Sequence, residues 1–430
     1  MTPGDYAHRR AVRADLLRFA AGSRHEHGFG YLDDTGAVVP DRPVELYVTC
    51  RMTHVFALGL LADEEPADGG PDAATLRDLV DHGVAALLDG PLRDDTDGGW
   101  FAAVNPDGSV SGAKQAYAHA FVVLAGSSAV AAGARRGQEL LAEALRVQTT
   151  RFWDEAEGLV VEEWNGDFSE LDDYRGVNSN MHTVECYLAA GDVTGDRVWH
   201  ERAGRIAERV AGWARGNQWR IPEHFSRTWE PMLEHNRDQP THPFQPYGAT
   251  VGHGLEWARL LVAVDQSLGE DSPAGLIEAA VALADRAFAD GWAVDGADGF
   301  VYTTDWDGNP VVRARMHWVL AEAIATSTVL ARVAGAEPHG TDLRRWWAYA
   351  DEYLIDHELG SWHHELDETN APAATTWPGK PDAYHAYQAA IIGDLPTTPS
   401  FASALREAHE SAGRVGRPAP VSRPDAAVDN

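Results

Sequence analysis

The sequence predicts an all-α protein whose helices pair around a closed ring, and two observations lead to this expectation. First, apolar residues recur with helical spacing in about a dozen amphipathic segments. Second, every second segment opens with a polar side chain among apolar neighbours. These side chains are Arg51, Tyr117, His182, His253, His317 and His385, at intervals of 66, 65, 71, 64 and 68 residues. A near-constant period of this length indicates a repeated helical hairpin.

Taken in order, the predicted helices span 5–20, 43–62, 74–89, 114–133, 137–152, 179–191, 197–216, 249–268, 274–290, 313–334, 341–356 and 381–393. Breaks fall at Gly, Pro and Asp clusters such as 63–72 and 336–340. The helices that open with the polar residue are apolar nearly all round, whereas the alternate ones have a charged face. The simplest arrangement is six inner helices surrounded by six outer ones, an (α/α)6 barrel with the polar groups at one mouth.

Short strand-like pieces with Gly or aromatic residues lie between the helices, at 98–101, 158–161, 223–225, 299–302 and 361–364. Turn signals follow two of them, at 106–108 and 307–308. These pieces predict short β-hairpins around the same mouth. The repeats account for residues 1–413 as one catalytic domain. The remainder, 414–430, is rich in Pro, Ala and charge and is predicted to be disordered.

The composition excludes some classes of partner. The net charge of −31 repels phosphate backbones and anionic lipids, which argues against nucleic acid and membrane partners. No run approaches the roughly 18 apolar residues of a membrane span, and no secretory signal is visible. Cys50 and Cys186 lie in apolar helical patterns, which favours a reduced, cytoplasmic protein. The chain has two lysines, Lys114 and Lys380, both near the predicted mouth.

The recurring histidines are the candidates for acid–base chemistry. An i,i+3 pair shares one helix face, so His253 with Glu256, and His182 with Glu185, are each expected to act together. A carboxylate beside an imidazole orients the ring and raises its basicity. Any one such pair is also compatible with a purely structural role, but His182, His253 and His385 share one phase of the repeat.

Other polar and aromatic residues fit a sugar site. Arg51 is expected to bind substrate oxygens or to pair with an acid such as Glu45. Uncharged groups suited to reading hydroxyls are Tyr117, Asn178 and Gln388. Trp318, Trp377 and Tyr384 fit either the wall of a sugar site or the core.

Metal and nucleotide motifs are weak in this sequence. The run 363–365 and a three-histidine site across helices leave a metal open, but no zinc spacing occurs. No phosphate-cradling loop or nucleophile elbow is visible. Neither a metal nor a cofactor is expected.

Five segments together resemble the N-acylglucosamine 2-epimerase family, which includes mannose isomerases and sulfoquinovose isomerases. They are 51–56, 178–185, 246–257, 315–318 and 377–385, and they extend over nearly the whole chain. The resemblance implies an (α/α)6 barrel and proton transfer between C1 and C2 of a sugar, without a cofactor. It implies that His253 and His385 are the acid–base pair. The sugar site implied or expected comprises Arg51, Tyr117, Asn178, His182, Glu256, Trp318 and Gln388.

Two residues favour a neutral substrate at this stage. A carboxylate at Glu365, before the last inner helix, is expected to repel a sulfonate, and Gln245 stands where some relatives have arginine. Relatives that act on N-acetylated sugars usually need a nucleotide activator. The expected reaction is therefore the interconversion of D-mannose and D-fructose, with D-lyxose and D-xylulose as a further pair.

Four alternatives stay open: a sulfoquinovose isomerase, an N-acylglucosamine 2-epimerase, a glycoside hydrolase and a sugar-binding protein without turnover. A hydrolase needs two carboxylates facing each other across the mouth, where the inner helices offer histidines instead. The expected partner is a monosaccharide, and the sequence leaves a monomer and a homo-oligomer equally open.

Overall fold

A computed structural model describes residues 1–63, 66–333 and 337–415. Within them the chain forms thirteen α-helices. They are α1 (Tyr6–Ala20), α2 (Leu46–Leu61), α3 (Ala73–Asp89), α4 (Ala116–Ala131), α5 (Gly137–Val147), α6 (Val177–Thr194), α7 (Val198–Gly216), α8 (Val251–Leu268), α9 (Leu276–Gly291), α10 (His317–Val333), α11 (Glu337–Tyr349), α12 (Tyr384–Ile391) and α13 (Phe401–Val415).

Six of these helices form a closed inner ring. Helix α2 packs on α4, and the contacts continue through α6, α8, α10 and α12 back to α2. Five others, α3, α5, α7, α9 and α11, pack outside their sequence neighbours, and α1 covers α12, so the two ends of the repeat array meet. Every residue from Leu46 to Gly59 of α2 is buried, whereas α7 keeps charged residues such as Glu201 exposed. The predicted (α/α)6 barrel is confirmed.

Fifteen short strands join the helices within the described residues. They are β1 (Arg24–His25), β2 (Gly28–Phe29), β3 (Val44–Glu45), β4 (Ala103–Val104), β5 (Lys114–Gln115), β6 (Trp153–Asp154), β7 (Leu159–Val160), β8 (Glu163–Trp164), β9 (Arg175–Gly176), β10 (His224–Phe225), β11 (Ala249–Thr250), β12 (Thr303–Thr304), β13 (Pro310–Val312), β14 (Arg315–Met316) and β15 (Glu365–Leu366).

Five strand pairs lie around the mouth of the barrel. A strand directly precedes each of α2, α4, α6, α8 and α10, and it pairs antiparallel with a strand that follows the next outer helix. The predicted hairpins lie at this end, although several strands begin a few residues later than expected.

Three features of the chain differ from the sequence prediction. The predicted break at 336–340 is wrong over 337–340, because α11 begins at Glu337 and takes Pro338 into its first turn, where a missing N–H is tolerated. Residue 336 lies outside the described residues. Helix α13 was not predicted; it packs on α2, α4 and α6 at the end opposite the hairpins. It reaches Val415, so the predicted tail at 414–430 starts inside it. Residues 416–430 lie outside the described residues.

None of the described helices is long and apolar enough to cross a bilayer.

Candidate active site

A cavity opens at the N-terminal ends of the inner helices. With its open mouth it encloses about 740 Å³. Eight of the nine predicted site residues line it: Arg51, Tyr117, Asn178, His182, His253, Glu256, Trp318 and His385. The repeat therefore brings one polar side chain after another to a single place, as its near-constant phase predicts.

Gln388 is the exception, because it lies beneath the cavity. Its amide nitrogen is 3.0 Å from Glu185 Oε1 and 3.3 Å from His54 Nε2. Three residues along a helix advance about 4.5 Å, so Gln388 lies one layer deeper than His385 on the same face. Its predicted contact with substrate hydroxyls is wrong in this structure.

His253 is held by a carboxylate that the sequence prediction missed. Its Nδ1 lies 2.9 Å from Oε2 of Glu223, which directly precedes β10 and is buried. The expected partner, Glu256, instead lies 3.5 Å from Arg259 Nη2. The prediction that Glu256 orients His253 is wrong, because a hairpin residue takes that position. The bond to Glu223 assigns the proton to Nδ1, so Nε2 is an acceptor.

His385 has the same arrangement with a different acid. Its Nδ1 lies 3.2 Å from Oε1 of Glu322, and Arg259 Nε donates to the other oxygen of this carboxylate at 2.9 Å. Burial lowers the pKa of His385 below its usual value, and the bond to Glu322 opposes that shift. At neutral pH the ring is therefore uncharged, with Nε2 as the acceptor.

Trp318 contacts both of these imidazoles. Its ring centroid lies 5.4 Å from that of His253 and 5.7 Å from that of His385. Gly252 makes this packing possible, because a Cβ there would come within 2.2 Å of the indole. The two candidate acid–base groups are thus placed against one rigid aromatic surface.

Arg51 satisfies both of its predicted roles in part. It lines the cavity, yet Nη1 lies 3.2 Å from Asp382 Oδ2 and Nη2 donates to the Tyr117 hydroxyl at 2.9 Å. The acid is Asp382 and not Glu45, so the expected structural partner is wrong. Burial raises the pKa of Tyr117 to about 12 despite the opposing charge of Arg51, so the phenol stays protonated.

His182 lies between two carboxylates without a close hydrogen bond. Its Nδ1 is 3.6 Å from Glu185 Oε2 and 3.8 Å from Glu256 Oε1. Burial lowers the pKa of His182 to about 4, against the effect of Glu185. Burial and the adjacent Glu322 charge raise the pKa of Glu256. His182 is therefore neutral at pH 7, and Glu256 tends to retain its proton.

The family model described as N-acylglucosamine 2-epimerase (GlcNAc 2-epimerase) matches residues 28–389. The chain belongs to the N-acylglucosamine 2-epimerase family. It is an enzyme of the isomerase class.

Two relatives and one solved structure are similar to this chain over most of its length. A protein named D-mannose isomerase from Thermobifida fusca is 50% identical over 406 residues, which cover 93% of this chain and 97% of that one. A D-mannose isomerase from Pseudomonas cannabina pv. alisalensis is 44% identical, covering 91% and 92%. A crystal structure of D-mannose isomerase superimposes with a TM-score of 0.82 at 24% identity, covering 90% and 97%.

Within the family fold, Glu365 has a role different from the one expected. It is buried, it is not among the residues that line the cavity, and its Oε2 accepts from the backbone N–H groups of Thr376 and Trp377 at 2.7 and 2.9 Å. The prediction that Glu365 repels a sulfonate in the site is therefore wrong. It instead positions Trp377, which does line the mouth. Gln245 likewise lies outside the cavity, where its Oε1 accepts from His235 Nε2 at 3.0 Å.

The metal positions suggested by the sequence are not assembled. The ring of His364 bonds to the Asp382 carbonyl at 3.1 Å, and Glu365 is used as described above. Two other groups, His182 with Glu185 and Glu256, and Glu256 with Glu322 and His385, have possible ligand atoms within 4.8 Å of one another. Arg259 already supplies a positive charge between Glu256 and Glu322.

The sequence predicted no role at the site for Glu223, Glu322 or Asp382. It placed His317 in the repeat without a role, and it offered His364 only as part of a metal site. Two signals were available: Glu322 is a lone acid in an apolar helix, and His317 belongs to the same period as the other histidines. No local signal identifies Glu223, because its pairing depends on how a hairpin folds back over α8.

Proposed function

We propose that this chain interconverts D-mannose and D-fructose by proton transfer between C2 and C1. The observation that carries the proposal is the pair His253 and His385, each held at Nδ1 by a buried carboxylate and each in contact with Trp318. Such imidazoles act as general acids and bases near neutral pH. The names of the two relatives at 50% and 44% identity support the same substrate.

The proposed reaction begins with ring opening and proceeds through an enediol. His253 Nε2 takes the proton of the O1 hydroxyl and passes it to the ring oxygen as the C1–O5 bond breaks, which gives the open-chain aldehyde. His385 Nε2 then removes the proton from C2, the electron pair forms the C1–C2 double bond, and O1 becomes an oxyanion. His253 Nε2 carries the proton of the O2 hydroxyl to O1, and the proton on His385 returns to C1 as the C2 carbonyl forms, which gives the ketose.

Arg51 and Tyr117 are proposed to hold the developing oxyanion. The guanidinium is fixed by Asp382, and the Tyr117 hydroxyl is fixed by Arg51, so neither group must reorganise during the reaction. Donors that are oriented in advance in a buried site stabilise charge more strongly than water does. The amide of Asn178 and the raised-pKa carboxyl of Glu256 supply further contacts for hydroxyls.

The charge of the site supports a neutral substrate. Among the described residues that line the cavity, Arg51 is the one arginine or lysine, and Asp382 neutralises its charge. A sulfonate would therefore meet no free cation among the lining residues, which disfavours sulfoquinovose. Glu365 lies outside the cavity and does not contribute to this preference. D-lyxose has the configuration of D-mannose at C2 to C4, so we propose D-lyxose and D-xylulose as a second pair.

A panel of sugars tests the proposal. The purified protein is incubated with D-mannose, D-lyxose, D-glucose, sulfoquinovose and N-acetyl-D-mannosamine in D₂O, and ketose, epimer and C2 deuteration are measured. We expect fructose from mannose and xylulose from lyxose. Absence of both ketoses and of deuterium exchange at C2, with the protein folded, would overturn the proposal. An epimer without ketose would overturn the isomerase proposal in favour of a 2-epimerase.

We also propose a reducing, cytoplasmic location. Both Cys50 and Cys186 are buried free thiols, and burial raises the pKa of each well above the usual value. A thiol kept protonated and shielded is a poor partner for disulfide formation.

A further inference from the structure

A second cavity lies at the end of the barrel opposite the hairpins, and we refer to it as the distal cavity. It is formed by the C-terminal halves of the inner helices together with residues 396–402 at the start of α13. Its opening included, it encloses about 670 Å³. Its lining includes the charged residues Glu185, Asp192 and Arg259 and the apolar residues Leu188 and Ala263. Most of the other lining residues are apolar.

One layer of side chains separates the distal cavity from the active site. Arg259 and Glu185 line the distal cavity, and each also contacts a residue beside the active site. Glu185 lies next to His182. Arg259 Nε lies 2.9 Å from Glu322, which in turn lies 3.2 Å from His385 Nδ1. Two side-chain contacts therefore connect a group in the distal cavity to the ring that is proposed to move the C2 proton.

Arg259 has one nitrogen available for a ligand. Its Nε and Nη2 are used by Glu322 and Glu256, whereas Nη1 has no hydrogen-bond partner among the described residues. Only 5% of the residue is exposed to solvent. Nη1 is therefore a donor that an oxygen acceptor within the distal cavity can satisfy.

The charges around the cavity indicate a neutral occupant. Glu185 accepts bonds from the Tyr384 hydroxyl and the Gln388 amide, and Asp192 accepts from the Ser400 N–H at 2.6 Å. These two carboxylates oppose an anion, and Arg259 opposes a cation. The apolar walls suit an aliphatic body, and Arg259 Nη1 suits a single hydroxyl or carbonyl oxygen.

We propose that the distal cavity is a second binding site, which takes a small neutral aliphatic alcohol or ketone and acts on His385 through Arg259 and Glu322. Binding is independent of the proposed function. Only the effect on turnover rests on it.

Binding of 1-hexanol to the full chain tests the site, by titration calorimetry and by the rise of Tm with alcohol concentration. We expect saturable binding that D-mannitol, an open-chain analogue of the proposed substrate, does not compete away. Ala263→Phe fills the cavity from α8 and should weaken binding by about tenfold or more, corresponding to at least about 1.4 kcal/mol. The matched control is Ala142→Phe, which adds the same ring at an exposed position of α5.

Three outcomes would overturn the proposal: no saturable binding to the wild type, equal binding to Ala263→Phe, or competition by D-mannitol. If Ala263→Phe fails to fold by circular dichroism, Leu188→Phe fills the same space from α6. At saturating alcohol the acid limb of the pH profile of kcat should shift in the wild type and not in the filled variant. A protein that binds the alcohol but converts no sugar retains the site and loses only the proposed function.

Discussion

At the scale of single residues, the candidate site is built from imidazoles that are each fixed by a buried carboxylate. Glu223 holds His253 and Glu322 holds His385, and in both cases the bond is to Nδ1. This common geometry leaves Nε2 of both rings as the atom that can accept a proton from substrate. The i,i+3 rule predicted a helical neighbour as the partner of His253, but the partner arrives from another element.

Replacement of Glu223 by Gln should reduce turnover while leaving substrate binding nearly unchanged. The amide keeps the shape of the side chain but removes the charge that stabilises a protonated His253. We expect kcat to fall roughly a hundredfold with a small change in KM, which is the lower limit of the range for acid–base groups. The measurement is steady-state ketose formation. Glu163→Gln, on the nearby β8, is the matched control and should behave as wild type; an unchanged kcat in Glu223→Gln would remove its proposed role.

Replacement of Glu322 by Gln should shift the pH profile in a defined direction. Burial lowers the pKa of His385, and Glu322 opposes this, so removing the charge lowers the pKa further. The neutral ring, which acts as the base, then persists to lower pH. We expect the acid limb of the kcat–pH profile to move to lower pH, together with a loss of kcat. A limb that moves to higher pH, in a variant shown to be folded, would contradict the assignment of His385 as the base.

At the scale of elements, the same tight turn recurs six times around the mouth. In each of the six repeats a tight turn closes with a backbone bond across three residues, from Gly36, Gly108, Phe168, Trp229, Gly308 and Asn370 back to the residue three before each. All six have positive φ, between 59° and 89°. Sequence reasoning found the turns at 106–108 and 307–308 because glycine marks them. The copies with Phe and Trp at this position carry no such mark.

The two lysines also belong to this level of structure. Lys114 Nζ bonds to Asp94 and the Gly98 carbonyl, and Lys380 Nζ bonds to Asp356 at 2.6 Å and the Gly360 carbonyl at 2.8 Å. Both are fully buried. The two lysines therefore make equivalent ion pairs in two repeats, which explains why both lie near the mouth. Neither residue lines the cavity.

Lys380→Met should destabilise the protein without changing any residue that lines the active-site cavity. Removal of the ammonium leaves Asp356 buried without its cation, and breaking one side of such a pair costs about 3 kcal/mol or more. Urea unfolding at pH 7 measures the loss. The double variant Lys380→Met with Asp356→Asn should recover part of it, because the unpaired charge is gone. Wild-type stability in the single variant would show that the pair contributes nothing.

At the scale of the whole molecule, the ring was predictable because its signal is repeated. The period of the polar residues follows from six equivalent helices facing one axis, so the barrel and the six periodic residues, which all line the cavity, could be placed from the sequence. Asn178, Glu256 and Trp318 rested instead on helical spacing, residue type and the family resemblance. Helix α13 has no counterpart in the repeat and therefore gave no periodic signal. The carboxylates Glu223, Glu322 and Asp382 depend on contacts between distant elements, which local spacing does not encode.

The same burial that assembles the site makes the whole molecule sensitive to acid. Burial lowers the pKa to about 4 in five histidines: His54, His119, His182, His224 and His364. For His119 the structure also shows why the ring stays neutral. Its Nε2 accepts from the Trp100 N–H at 3.1 Å, while Nδ1 lies 2.7 Å from the Gln115 carbonyl. A second proton would have to displace one of these bonds.

The free energy of unfolding should therefore fall steeply as the pH drops from about 6.5 towards 4. In that window the unfolded chain binds protons on these rings and the folded chain does not, so stability rises with pH and is complete above about 6.5. Urea titrations at several pH values measure the slope. His119→Gln removes one such ring and should lower the slope by about one proton, whereas His409→Gln, at an exposed position of α13, should leave it unchanged. Equal slopes in the wild type and His119→Gln would show that His119 is not buried in its neutral form.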